Sequence, residues 1–246
     1  MRELTISNYD EIKIIVDKLN VETFNQILFR GEPKSLVSSL VKCCKSDSTN
    51  LETIEKSLFE KFKQKSGIKF KLKHPIAIDW EARIAAREYG LASSLIDLSN
   101  SFDIALEFAI YNLEEKNIDN TSLWILDKSK LKQITINQNT DIKFEDITAP
   151  TIIQFSDYSG LTHHKRRLIQ GGYFLKLPYE DIITTLDKNP FFSDHLIRII
   201  IPKNTVNDIR KKISLKVDLN LDACIELDTL DLKIKQLCKK LNKEIK

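Results

Sequence analysis

Apolar residues recur along the chain at helical and strand spacings, and their spacing predicts the elements. Over residues 8–20, Ile12, Ile15, Val16 and Leu19 fall on one face and charged residues on the other, which predicts an amphipathic helix. Gln26 to Arg30 is short and apolar and ends at Gly31 and Pro33, a strand followed by a turn. Residues 50–64 predict a second helix, with Leu51, Ile54, Leu58 and Phe62 inward and Thr49 with Glu52 as a capping box. Asp79 is placed to cap a third helix, with Trp80, Ile84 and Ala85 inward and Gly90 at its end. Leu95 to Leu98 reads as a short strand or extended turn. Residues 102–113 read as a helix with Ile104, Ala105, Phe108, Ala109 and Leu113 at helical spacing. Ser122 to Leu126, 150–156, 172–177 and Leu196 to Ile201 read as strands, the last stopped by Pro202. From 204 onward the pattern is helical, ending in Leu230 to Leu241 with a lysine-rich outer face. Strands and helices do not alternate strictly, which favours an α+β class over a doubly wound sheet.

Composition narrows the function classes. The 246 residues are 42% hydrophobic, enough for a sizeable core, with no internal repeat or low-complexity linker, so one continuous domain over 1–246 is expected. It divides into the helix near 8–20, a motif-bearing core near 25–202 and a helical segment near 203–246. Lys and Arg number 38 against 35 Asp and Glu; a net charge of +3 is too mild to mark a nucleic-acid footprint. No Gly-rich phosphate loop occurs among the six glycines. The N-terminus carries no signal-peptide pattern, no stretch has the length of a membrane span, and Cys43, Cys44, Cys224 and Cys238 form no Cys-x-x-Cys pair. The expectation is a cytoplasmic protein with free thiols, no metal site and no membrane partner.

Three segments carry candidate chemistry, each with a plain structural alternative. Phe29-Arg30-Gly31-Glu32 puts an arginine at a strand end, able to offer its fork to a phosphate or to stay a surface side chain. Tyr89-Gly90-Leu91-Ala92-Ser93-Ser94-Leu95-Ile96-Asp97-Leu98-Ser99 leads into Ala105-Leu106-Glu107-Phe108-Ala109. It can place Asp97 and Ser99 on a cleft wall, or use Ser99, Asn100 or Ser101 as a helix cap and Asp97 as a turn acceptor. Arg166 to Phe174 brings Gln170, Gly171 and Gly172 into a strand, where paired glycines allow close approach of a ligand or an ordinary bulge.

Taken together, the order and spacing of these blocks resemble the FRG domain, a family common in bacteria. Its usual pattern is a strand with Phe-Arg-Gly, then Gln-His-x-Gly-Leu-Pro-Thr-Arg-Leu-Leu-Asp-Trp-Thr, then Ala-Leu-x-Phe-Ala, then Arg-x-x-x-Gln-x-Gly-x-Phe. Phe29-Arg30-Gly31, Tyr89-Gly90-Leu91, Leu95-Ile96-Asp97 with Ser99, Ala105 to Ala109, and Arg166, Gln170, Gly172 and Phe174 stand in that order here; Leu227 to Asp231 is similar to the family's closing segment. The resemblance spans about residues 20–240. The chain departs from the pattern at Arg87-Glu88, at Ala92-Ser93-Ser94 and at Leu98.

The FRG pattern is itself similar to the arginine-first ADP-ribosyltransferases. That resemblance implies a mixed sheet with flanking helices, NAD as the substrate of a transferase or glycohydrolase, a protein or nucleic-acid acceptor, and a bacterial toxin or phage-defence role. By it, Arg30, with Gly31 and Arg166, would hold NAD phosphate or ribose. Ser99, or Ser93 and Ser94, would support the nicotinamide pocket, and Asp97 and Gln170 would be the catalytic pair. The chemistry requires a preorganised charge or strong hydrogen bond at the ribose, because breaking the nicotinamide bond builds an oxocarbenium-like cation. Gln170 is uncharged. Among Glu32, Asp97 and Glu107, the resemblance carries Asp97, and helical spacing turns Glu107 to solvent. The alternative is a non-catalytic nucleotide-binding or nucleic-acid-binding module of the same fold. His163-His164-Lys165-Arg166-Arg167 offers cations for phosphates, of NAD or of a nucleic-acid acceptor, or forms a solvated basic loop.

Overall fold

The computed structural model describes residues 1–22, 26–32, 35–44, 50–70, 72–116, 118–155, 172–214 and 229–245. The class is α+β, with two four-stranded sheets where one mixed sheet was expected. The strands are β1 (Arg2–Thr5), β2 (Ile27–Gly31), β3 (Ile96–Leu98), β4 (Asn120–Asp127), β5 (Lys132–Ile136), β6 (Thr151–Phe155), β7 (Tyr173–Lys176) and β8 (Leu196–Pro202). The first sheet has the order β1-β8-β4-β2 and the second β3-β7-β6-β5. Each contains one parallel pair, β1 with β8 and β5 with β6, and the other pairs are antiparallel. The helices are α1 (Tyr9–Glu22), α2 (Ser39–Cys43), α3 (Leu51–Lys65), α4 (Pro75–Glu88), α5 (Phe102–Lys116), α6 (Val206–Ser214) and α7 (Thr229–Lys243).

Among the described residues, the main chains of the two sheets are joined by one isolated bridge. Phe29 of β2 and Ser99, just beyond β3, exchange main-chain hydrogen bonds of 2.7 and 2.8 Å. Strand alternation then sorts the side chains. Ile27 and Phe29 enter a core shared with α1, α5 and α6, while Leu28 enters a second core shared with α3, α4 and α7. Gly31 has the parity of Ile27 and Phe29, so its missing side chain faces α5. A Cβ there would stand 2.0 Å from the carbonyl oxygen of Ala105 and 2.5 Å from the amide nitrogen of Ala109. The glycine is what lets the backbones of β2 and α5 touch.

Several local expectations are corrected. Helix α4 begins at Pro75, with His74 as its N-cap. Proline fits the first helical turn, where its missing N–H costs nothing. Asp79 is therefore inside the helix and pairs with Arg83 and Lys63 instead of capping. Helix α3 has Asn50 at its N-cap, without a side-chain cap bond; Thr49 lies outside the described residues. Its buried face also includes Glu55 and Phe59. Strands β1 and β5 and helix α2 were not anticipated. In β1 only one of four residues is even partly buried, so the apolar pattern is nearly silent there.

The end of α4 follows the expectation. Gly90 has φ +87°, and the amide of Leu91 donates to Ala86 O at 2.9 Å while that of Gly90 donates to Arg87 O at 3.0 Å. This is a Schellman closure, and it fixes where Arg87, two residues before the cap, is held.

Candidate functional site

A cleft of about 390 Å³ opens where the sheets meet. Its walls include Phe29, Arg30, Gly31 and Glu32 from β2 and the residue after it, and Asp97, Leu98 and Ser99 from β3 and its end. Arg87, Glu88, Tyr89 and Gly90 close one end, Ala105 and Phe108 of α5 form the floor, and Lys235 of α7 sits at the rim. The volume is at the small end of the range for ligand pockets.

Arg30 is the centre of this arrangement. Its Nη1 donates to the main-chain oxygen of Asp97 at 2.7 Å and lies 3.4 Å from the Asp97 carboxylate. Its Nη2 donates to Glu32 Oε2 at 3.3 Å, and Lys42 reaches the other Glu32 oxygen at 3.1 Å. Arg87 donates to the same Asp97 Oδ2 from the last turn of α4. Among the described residues, Lys42, Glu32, Arg30, Asp97 and Arg87 thus form a chain of alternating charge, and Glu88 is a third carboxylate in the cleft lining. The guanidinium-bearing side chains are only 18% and 15% exposed, against 34% for Asp97, so the arginines are held against the cleft wall by protein groups. Arg87 Nε is buried without a hydrogen-bond partner among the described residues.

The remaining expected residues fall in three places. Ser99 lines the cleft, but its hydroxyl accepts from the Ser101 amide at 3.0 Å and its main chain carries the bridge to Phe29. Gly31 lines the cleft as the contact point of α5 described above. Ser93 and Ser94 are not on the cleft: Ser93 Oγ and Ser94 N both donate to the buried carboxylate of Glu55, at 2.8 and 2.7 Å. Arg166, Gln170, Gly171 and the basic run at 163–167 lie outside the described residues. The third block is nevertheless anchored beside the second, because Tyr173 pairs with Leu98 and Phe174 with Asp97. Glu107 is absent from the cleft lining; it is half-buried instead of solvated, and burial pushes its carboxyl up, with Arg210 opposing.

Arg87 is the site residue that sequence reasoning passed over. It stands among the departures from the family pattern, and nothing in its neighbours along the chain marks it. Only the Schellman turn and the return of the chain through Asp97 bring it to Arg30. Glu32, weighed above only as one of several carboxylates, is the second partner of Arg30.

The cleft rim is braced from α7. The Asn242 amide donates to Gly90 O and accepts from the Ala92 amide, both at 2.8 Å. Cys238 is buried beside Leu91, and burial pushes its thiol up to about 12. A separate buried network joins Glu55, Tyr179 and Lys176: Tyr179 Oη donates to Glu55 at 2.7 Å, and Lys176 Nζ sits 3.9 Å over the Tyr179 ring and donates to Leu177 O. Burial is the main cause that lowers the Lys176 ammonium to about 8.

Among the described residues no group of three or more His, Cys, Asp or Glu side chains is arranged to hold a metal ion, and no helix is long and apolar enough to cross a membrane. No curated protein and no solved structure matches the chain. The family comparison does find a match, and it covers the β2 arginine, the α4–β3 turn and α5: residues 25–118 match the model of the FRG domain.

Proposed function

We propose that the cleft binds a phosphate-bearing nucleotide, with NAD as the ligand, and that Arg30 and Arg87 receive the phosphates. The observation that carries this reading is the convergence of two guanidiniums from separate elements on one cleft wall. Guanidinium forks match phosphate geometry and keep their charge at all working pH values. NAD comes from the similarity of the FRG pattern to the arginine-first ADP-ribosyltransferases, a fold-level analogy. Phe108, Tyr89 and Leu98 supply apolar surface for a ring.

ADP-ribosyl transfer, in a toxin or defence effector, is the second reading. The Asp97 carboxylate on the cleft wall favours it. In that reaction a nucleophile attacks ribose C1′, the bond to nicotinamide breaks, and nicotinamide leaves neutral. Asp97 would face the cation that develops on the ribose. Its Oδ2, however, already receives both arginines, which offsets the negative charge that the developing cation would need.

Titration calorimetry with NAD and with ADP-ribose tests the binding reading. Arg30→Ala and Arg87→Ala are each expected to weaken affinity about 10- to 100-fold, the worth of a charge-assisted hydrogen bond. No heat with either ligand, or affinity unchanged in both variants, overturns it. Release of nicotinamide from NAD by the wild-type protein, slowed about 100- to 1,000-fold by Asp97→Asn, would establish cleavage of the nicotinamide–ribose bond, and ADP-ribose recovered on an acceptor instead of free would establish transfer.

A further inference from the structure

The outer face of α7 is a row of lysines that ends at the cleft. Lys235, at the cleft rim, is followed at every fourth position by Lys239 and Lys243, with Lys240 beside them. Successive members of that row rise about 6 Å along the helix. All four are exposed, as is Lys233. Over residues 232–244 the only carboxylate is Glu244, and it pairs with Lys61 of α3 at 2.6 Å. A helix surface this unbalanced repels itself, since like charges four apart destabilise by a few tenths of a kcal/mol each. Asp231, four residues before Lys235, is the one carboxylate of the α7 sequence, and Glu88 lines the cleft together with Lys235.

We propose that this lysine row is a track for the phosphate backbone of a single-stranded nucleic acid, which runs along α7 and delivers one nucleotide to the cleft. The inference rests on the nucleotide-binding reading of the cleft. Three observations select this occupant. The row is continuous with a cleft on whose wall two guanidiniums, of Arg30 and Arg87, converge. At about 390 Å³ the cleft is sized for one nucleotide unit, of a strand or of one half of NAD, and a duplex presents such a unit only by extruding a base. The apolar face of α7, formed by Ile234, Cys238 and Leu241, is buried in the protein's own core, which leaves Leu232, among the described residues, as the exposed large apolar side chain of the helix, too little to anchor it in a lipid surface.

Fluorescence anisotropy with a short labelled single-stranded oligonucleotide of mixed sequence, as DNA and as RNA, tests the track over about 50 to 200 mM salt. Each phosphate neutralised on a single strand contributes about −0.7 to the slope of log affinity against log salt. The triple variant Lys239→Gln, Lys240→Gln, Lys243→Gln should flatten that slope by about 2, which is about twentyfold less affinity lost across the range. It should leave ADP-ribose affinity unchanged, whereas Arg30→Ala should lower both. Glutamine has nearly the helix propensity of lysine, and the arginine triple at the same positions should restore the slope. ADP-ribose binding with an oligonucleotide slope that the glutamine triple does not change overturns the track and leaves the cleft reading standing. Lysine-dependent binding to phosphatidylserine vesicles without oligonucleotide binding also overturns it. Absence of binding to both NAD and ADP-ribose in the wild type overturns the cleft reading and this inference with it.

Discussion

Arg30 and Asp97 meet across the seam between the two sheets, and the shorter of their two contacts, 2.7 Å, is to the Asp97 main-chain oxygen. The carboxylate is 3.4 Å away and is shared with Arg87. The position of Arg30 therefore depends on the path of β3 more than on the side chain of Asp97. The bridge between Phe29 and Ser99 sets that path, since Phe29 precedes Arg30 and Ser99 follows Asp97 by two residues.

Asp97→Asn separates these roles. The main-chain acceptor for Arg30 stays, while two guanidiniums lose their shared anion. A fully buried pair broken on one side costs about 3–5 kcal/mol. Asp97 is a third exposed, so water screens the loss and a cost of about 1–2 kcal/mol is expected by urea denaturation. High salt should shrink the difference, because it screens the repulsion between Arg30 and Arg87.

Gly31→Ala should be more damaging than any change to an exposed residue of the cleft. Its Cβ would fall 2.0 Å from a main-chain oxygen of α5, and a helix backbone cannot step aside as a side-chain tip can. A loss of about 3 kcal/mol or more is expected, at the upper end for overpacked cores, with nucleotide binding falling as α5 is displaced. A variant with wild-type stability would show that the α5–β2 contact is looser than described.

Asn242→Ala tests the brace from α7. It leaves Gly90 O and the Ala92 amide without their side-chain partner, at a cost of about 1–2 kcal/mol. Hydrogen exchange at Ala92 should accelerate, while the amides of Leu123 and Ile125, in the central strand β4, should be unaffected.

The buried Lys176 predicts a signed pH effect. Its folded value, about 8, lies below the ordinary lysine value of 10.5, so between those values the unfolded chain binds the extra proton. Stability contributed through this residue rises with pH across that window and is lost as pH falls through about 8. Tyr179 acts in the opposite sense at higher pH: burial, with Glu55 beside it, holds its hydroxyl above the ordinary tyrosine range. The comparison is with Lys176→Met, which keeps the volume and removes the titration. The wild type should gain on this variant, by up to a few kcal/mol, from pH 8 to 10.5. A flat difference across that range would show that the ammonium is solvated in the native state.

The parts legible in the sequence are those whose signal is local. Phe29-Arg30-Gly31, the turn at Gly90, Ile96 to Leu98 and α5 all show in the apolar spacing or in a glycine at a helix end, and they assemble most of the cleft wall. The elements missed have weak local signals. Strand β1 presents mainly polar residues at the sheet edge, and α2 is five residues long. Arg87, Lys42 and Lys235 read as ordinary surface cations, because their roles come from contacts between elements far apart in the chain. Ser93 and Ser94, which the resemblance offers beside Ser99 for the pocket, are both taken by a buried glutamate on α3 that only the folded chain brings to them.

The most direct measurement of the central claim is a crystal structure with ADP-ribose bound. The account predicts phosphate oxygens within hydrogen-bond distance of the Arg30 and Arg87 guanidiniums, in the cleft between β2 and β3. Ligand bound elsewhere on the protein, with both arginines still closed on Asp97, would contradict it.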